Sequence, residues 1–362
     1  MPPKRVWGFI QCFLSFFIIP HGKFICKEAP LRLETGREIL YRLRQHRMIR
    51  QEPNGSKTPR TLLRGAALNK SGSYGRVKMK IINTYPALLS AYEGAAFRFE
   101  KWRSYIDSAL PGISSLLLSD AKECLETGTF SWGKDYLPVL NGVVLNPELR
   151  ERAYDSFCKT TENLERRVYE KFGRGLDADL IFYLGLCNGA GWVTEYRGQK
   201  IVLFGIEKIM ELNWCGPDDM RGLIYHELGH IYQGQYGVLN RTFGNDADSF
   251  LWQLFTEGAA MCFEQALEEN PDYYHQNKDG WKKWCDDHLE EIKADFNRDL
   301  KTMTFASQRY FGDWVKYHGH SDVGYYLGCR FVHYILSMYE FDEMICFEAG
   351  TVARLFQQFI QS

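Results

Sequence analysis

Apolar residues recur at helical spacing through residues 84–108 (TYPALLSAYEGAAFRFEKWRSYIDS) and 147–172 (PELRERAYDSFCKTTENLERRVYEKF). The second stretch runs into Gly173, a residue suited to closing a helix. Both patterns predict scaffold helices. Residues 180–187 (LIFYLGLC) are almost wholly apolar and predict a buried strand. Residues 192–196 and 200–204 then flank Arg197-Gly198 and predict a hairpin. The next helix is expected within residues 217–237. Pro217 suits its first turn, Asp218 and Asp219 favour its positive end, and Gly234 and Gly237 lie where it would stop. Ile224, Leu228 and Ile231 form the stripe that would bury it. Asn245 or Asp246 can cap a further helix, SFLWQLFTEGAAMCFEQALEE, ending before Asn270-Pro271. Residues 281–300 read as an amphipathic helix. The stretch DVGYYLGCRFVHYILSMY reads as a buried one, with Gly324 and Gly328 four apart to permit close packing. A short β segment followed by helices predicts an α+β domain with a small mixed sheet and a mainly helical lobe.

Composition sharpens the boundaries. With 362 residues, 45% of them hydrophobic, the chain can bury a full core. Its net charge of −1 hides an asymmetry. Residues 1–78 carry 16 of the 44 Lys and Arg and 4 of the 45 acidic residues, net +12, which leaves 28 against 41, net −13, for residues 79–362. The first part is therefore expected to be a basic, disordered or non-native extension. The second is expected to be the working domain, with the sheet-containing part to about residue 237 and the helical lobe from about 245 to 362. Residues 1–19 pair a basic start with an apolar run, which Gln11 interrupts and which is too short to span a bilayer. We expect a cytoplasmic protein, with export as the alternative if that run acts as a signal, and no stable membrane insertion. The basic residues have no aromatic interleaving, so no nucleic-acid partner is expected for the domain. Ten cysteines without a CxxC pair read as reduced thiols.

The chemistry concentrates in HELGH, residues 226–230. On a helix His226 and His230 share one face, and Glu227 stands beside that face as a candidate general base rather than a ligand. On the following helix Glu257 lies among Leu254, Ala260 and Met261, where a carboxylate is costly unless something neutralises it. Gly258, Ala259 and Ala260 are small enough to bring that helix against HELGH. Glu257 is thus the expected third metal ligand, with Glu264 a weaker candidate. The longer HExxHxxGxxH pattern fails because Gln233 and Tyr236 occupy its remaining positions. A cysteine ligand would have to be Cys187 or Cys215, neither of which sits in a motif. Asn188-Gly189-Ala190-Gly191 would let a peptide approach closely, and Glu195 could grip a substrate amino group. Tyr325, Tyr326, His320 and His333 are the later polar groups able to face a cleft.

Through HELGH, TEGAA and GYYLG, residues 79–362 resemble the gluzincins, zinc peptidases with two His on HExxH and a Glu on the next helix. They are more similar still to a bacterial family of predicted zinc-dependent proteases, classed as a domain of unknown function. The resemblance implies a zincin-like fold, one Zn2+ per chain on His226, His230 and Glu257, Glu227 as base, and a peptide or protein substrate. It places Tyr325 near the site. Zinc peptidases add a donor opposite the metal, for which Tyr325 is the first choice and His320 the second. Two departures stand: 27 residues separate His230 from Glu257, and the acidic residue expected four places after Glu257 is Met261. The alternative is a zinc-stabilised protein of the same fold that holds a peptide or partner without cutting it.

Overall fold

The computed structural model describes residues 79–126, 130–305, 307–312 and 315–362. The extension expected over residues 1–78 lies outside them.

A four-stranded mixed sheet carries the first half of the domain. It is built from β1 (Lys80–Asn83), β4 (Asp179–Tyr183), β5 (Gly191–Tyr196) and β6 (Gln199–Gly205), in the order β1-β4-β6-β5. β1 and β6 both run parallel to β4, and β5 runs antiparallel to β6 at the edge. The short pair β2 (Tyr92–Glu93) and β3 (Ala96–Phe97) stands apart from this sheet. Central β4 is apolar on both faces, with Leu180, Ile181, Phe182 and Tyr183 all fully buried, as a covered strand requires. Helix Pro147–Thr161 helps cover it through Phe157, whose ring stacks on Phe182 with centroids 4.5 Å apart. The hairpin forms where expected. Tyr196 pairs with Gln199 across Arg197 at φ 52° and Gly198 at φ 78°, and two positive φ values in a two-residue loop match the twist of the strands.

Three periodic stretches divide where expectation made them continuous. Residues 84–108 break at Gly94, φ 60°, into a 3-10 turn (Tyr85–Ala91), the β2/β3 pair and helix Phe99–Ala109. Residues 147–172 break at Asn163, whose φ of 58° separates Pro147–Thr161 from Leu164–Phe172. Residues 281–300 break at His288, whose Nδ1 lies 2.8 Å from the carbonyl oxygen of Trp284. The helices there are Trp281–Asp287 and Leu289–Asp299. The strand expected over 180–187 stops at Tyr183 because the buried Glu207 carboxylate takes the amides of Gly185 at 2.9 Å and Cys187 at 3.1 Å. Strand β1 and the last helix, Ala349–Gln361, were not foreseen.

The helical lobe is organised by three helices: Pro217–Tyr236, Asp246–Leu267 and Val323–Leu336. The Asn245 side chain caps the second by accepting the amide of Asp248 at 2.8 Å. Small residues set their spacing. A β-carbon at Gly229 would come within 2.8 Å of the Ala260 backbone, so the first and second helices cross there. A β-carbon at Gly258 would lie 2.1 Å from the Gly328 carbonyl oxygen, so the second and third cross there. Of the expected small trio, Ala260 therefore faces HELGH while Gly258 faces the third helix. Gly324 makes room instead for the ring of Phe311. Among the described residues no helix is long and apolar enough to cross a membrane.

Candidate metal centre

Pro217–Tyr236 is buried along its length by the expected stripe, Ile224, Leu228 and Ile231. This leaves both HELGH imidazoles turned toward Asp246–Leu267. His226 Nε2 lies 3.0 Å, and His230 Nε2 3.4 Å, from one oxygen, Oε2 of Glu257. The rings stand edge to face, with centroids 4.9 Å apart and planes at 89°. One atom from each of the three residues falls within 4.8 Å of the others. Two ligands about 2.0–2.1 Å from a tetrahedral ion are about 3.3 Å apart, so both His–Glu257 separations already match ligand spacing. Glu257 is 4% exposed, and its only described polar partners are the two imidazoles. Burial works against its charge, but His230 and then His226 outweigh that and hold its carboxyl below the ordinary range. The residues fit a metal ion, which would neutralise a buried carboxylate that no Lys or Arg approaches among its described contacts.

Glu227 is also buried, and it is treated differently. Burial pushes its carboxyl up to about 7, against the weaker pull of His230. It lies beside the first residue of β5, where a β-carbon on Gly191 would come within 3.1 Å of its Cγ and its Oε1. The segment expected to admit a peptide is thus interior. Asn188 is tied to the Leu117 carbonyl and Asp120, and the space over Gly191 belongs to Leu223 and Glu227. Glu195 sits at the exposed end of the hairpin, paired with Lys200 at 3.4 Å.

The acidic residue missing at Met261 stands instead at Glu264, two turns after Glu257. Glu264 is fully buried, with Oε2 3.7 Å from His226 Nδ1, and both its oxygens reach His275 Nδ1 at 2.9 and 3.0 Å. A metal-binding imidazole is commonly oriented by a carboxylate at its other nitrogen; Glu264 is on that side of His226 but stops short of a hydrogen bond, its oxygens being held by His275. Burial raises Glu264 to about 7 and lowers His275 to about 4. His275 reaches the pair by crossing Gly222, where a β-carbon would lie 2.2 Å from its own. No sequence signal marked His275, which follows a polar Asn-Pro-Asp turn.

The remaining candidates separate. The Tyr325 ring lies 5.6 Å from that of His226. His320 instead stacks on Trp284 with centroids 4.0 Å apart, and among the described residues it makes no contact with the triad. The Tyr326 hydroxyl donates to Asp286 at 2.7 Å as a core tyrosine, and His333 Nε2 meets Gln265 Oε1 at 2.7 Å. Neither candidate cysteine joins the imidazoles, since Cys215 donates to the Ile209 carbonyl and Cys187 is buried beside Glu207. The other described cysteines are likewise free thiols. No family model, curated protein or solved structure compared with this chain matches it.

Proposed function

We propose that the chain is a zinc-dependent peptidase of the gluzincin type on a zincin-like fold. The observation that carries this reading is the convergence of His226 and His230 Nε2 on Glu257 Oε2, with Glu227 buried beside them. Zinc on those three residues supplies a Lewis acid that acidifies water and polarises a scissile carbonyl. Glu227, buried beside the three ligands, accepts the proton that the attacking water loses and returns it to the leaving amine. A structural site has no use for such a base, and this favours catalysis over simple holding of a partner. Tyr325, next to His226, supplies a phenol for the charge that develops on the carbonyl oxygen.

The test is metal content of the purified chain together with hydrolysis of a mixed peptide library, with Glu227→Gln as control. We expect zinc in both proteins and cleavage only by the parent. Cleavage at equal rates would remove Glu227 from the reaction. A zinc-holding parent that cuts nothing would favour the binding protein instead.

A further inference from the structure

A second group of soft donors lies between the second and third helices of the lobe, and neither the fold nor the proposed hydrolysis uses it. Cys262 comes from Asp246–Leu267, while Cys329 and His333, four apart and so on one face, come from Val323–Leu336. The two Sγ atoms are 3.9 Å apart, and a donor atom of His333 completes a set in which all lie within 4.8 Å of one another. We propose that Cys262, Cys329 and His333 form a second metal site, for a thiophilic ion of the zinc class, distinct from the HELGH centre.

Three observations support this site. Two thiolates about 2.3 Å from a tetrahedral ion are about 3.8 Å apart, so an Sγ separation of 3.9 Å needs no rearrangement. It is far outside the ~2 Å of a disulfide, and both thiols are free. The histidine is already oriented. His333 Nε2 meets Gln265 Oε1 at 2.7 Å, and the Gln265 amide is itself anchored by donating to the Tyr273 carbonyl at 2.9 Å. With Nε2–H committed to Gln265, Nδ1 is the nitrogen left with a lone pair. A backbone-anchored acceptor on one imidazole nitrogen is the arrangement that prepares the other to bind metal. Finally, the site is enclosed, with Cys262 and Cys329 buried and His333 partly so.

The close approach of the helices at Gly258 and Gly328 brings these donors together, since Cys262 and Cys329 follow them by four residues and one residue. An ion there would tie the helix that carries Glu257 to the helix that carries Tyr325.

The experiment loads the full chain with Co2+ and records its near-ultraviolet absorption, where thiolate ligands give a charge-transfer band and imidazole or carboxylate ligands give none. We expect the band in the parent and in His226→Ala, whose HELGH centre is disabled, and its loss in Cys329→Ser with one metal equivalent gone. Because Cys329→Ser can fail to fold, X-ray absorption of the zinc-loaded parent supplies the variant-free arm, with sulfur scatterers expected at about 2.3 Å. A parent with no thiolate band, or with only nitrogen and oxygen around its zinc, overturns the proposal and leaves the HELGH reading untouched. A band that disappears in His226→Ala also overturns it, because the thiolates would then belong to the first centre.

Discussion

Gly191 and Glu227 share one small volume: a β-carbon on the glycine would lie 3.1 Å from the Cγ and from Oε1 of the glutamate. The edge strand and the HELGH helix therefore meet at the carboxylate proposed as the base, which in that role must stay mobile enough to pass a proton. Gly191→Ala should fold and keep its metal, since the other close atom is the end of the flexible Leu223 side chain, 2.8 Å away. Turnover should fall roughly 10-fold or more, because displacing a catalytic group by a fraction of an ångström is costly. Peptide hydrolysis measured beside zinc content checks this, and a parental rate would show that Glu227 has room to spare.

Glu264 faces His226 Nδ1 at 3.7 Å, beyond hydrogen-bond distance, while its oxygens hold His275. Glu264→Ala should weaken zinc binding roughly 10–100-fold, with Glu264→Gln recovering part of the loss. Competition against a chelator measures it. If both variants lower Tm while zinc affinity is unchanged, Glu264 is a core residue and not an orienting one.

Tyr325 lies against His226 at 5.6 Å between ring centroids. Tyr325→Phe keeps the ring and removes the hydroxyl, so the fold and zinc content should survive while kcat falls roughly 10²-fold. An unchanged kcat would return Tyr325 to packing alone. His320→Ala, which removes a ring stacked on Trp284, should leave kcat close to the parent value.

Glu207 makes stability depend on pH. Burial raises its folded-state carboxyl from 4.5 to about 7, against the pull of the Gly185 and Cys187 amides it accepts. Between those values the folded chain keeps a proton that the unfolded chain has released. Stability is therefore greatest below about pH 4.5 as far as this group is concerned, and falls as pH rises toward 7, by about 3 kcal/mol in all. Glu207→Gln should flatten that slope, as denaturant titrations at the two ends of the window would show. An identical slope in parent and variant would place the pH dependence elsewhere, for instance on Glu264.

The features legible in the chain itself were those that local interactions decide. Pro217, Asp218 and Asp219 start a helix within one turn, Asn245 caps its own, and Arg197-Gly198 closes a two-residue hairpin, all without help from distant residues. The spacing of His226 and His230 is likewise a property of one helix. Glu257 was reached because a lone carboxylate in an apolar pattern needs a partner wherever the helix ends up. Continuity was overestimated where apolar period persists across a break, as at Asn163 and His288, since periodicity does not report a single residue leaving helical φ and ψ.

The rest required the tertiary structure, because it depends on which surfaces meet. Glu264 is only a weaker ligand candidate on the chain alone, and the crossing of Gly229 on Ala260 is what brings it beside His226 and His275. His275 sits in a turn without a motif and enters the site only by lying over Gly222. Gly191, open to a peptide on sequence grounds, is filled by Glu227 once β5 takes the sheet edge. Cys262 and Cys329, 67 residues apart and unremarked in a scattered set of thiols, become neighbours where Gly258 meets Gly328. The identity of each donor was written in the chain, whereas its partner was settled by helix crossings that only close packing of small residues permits.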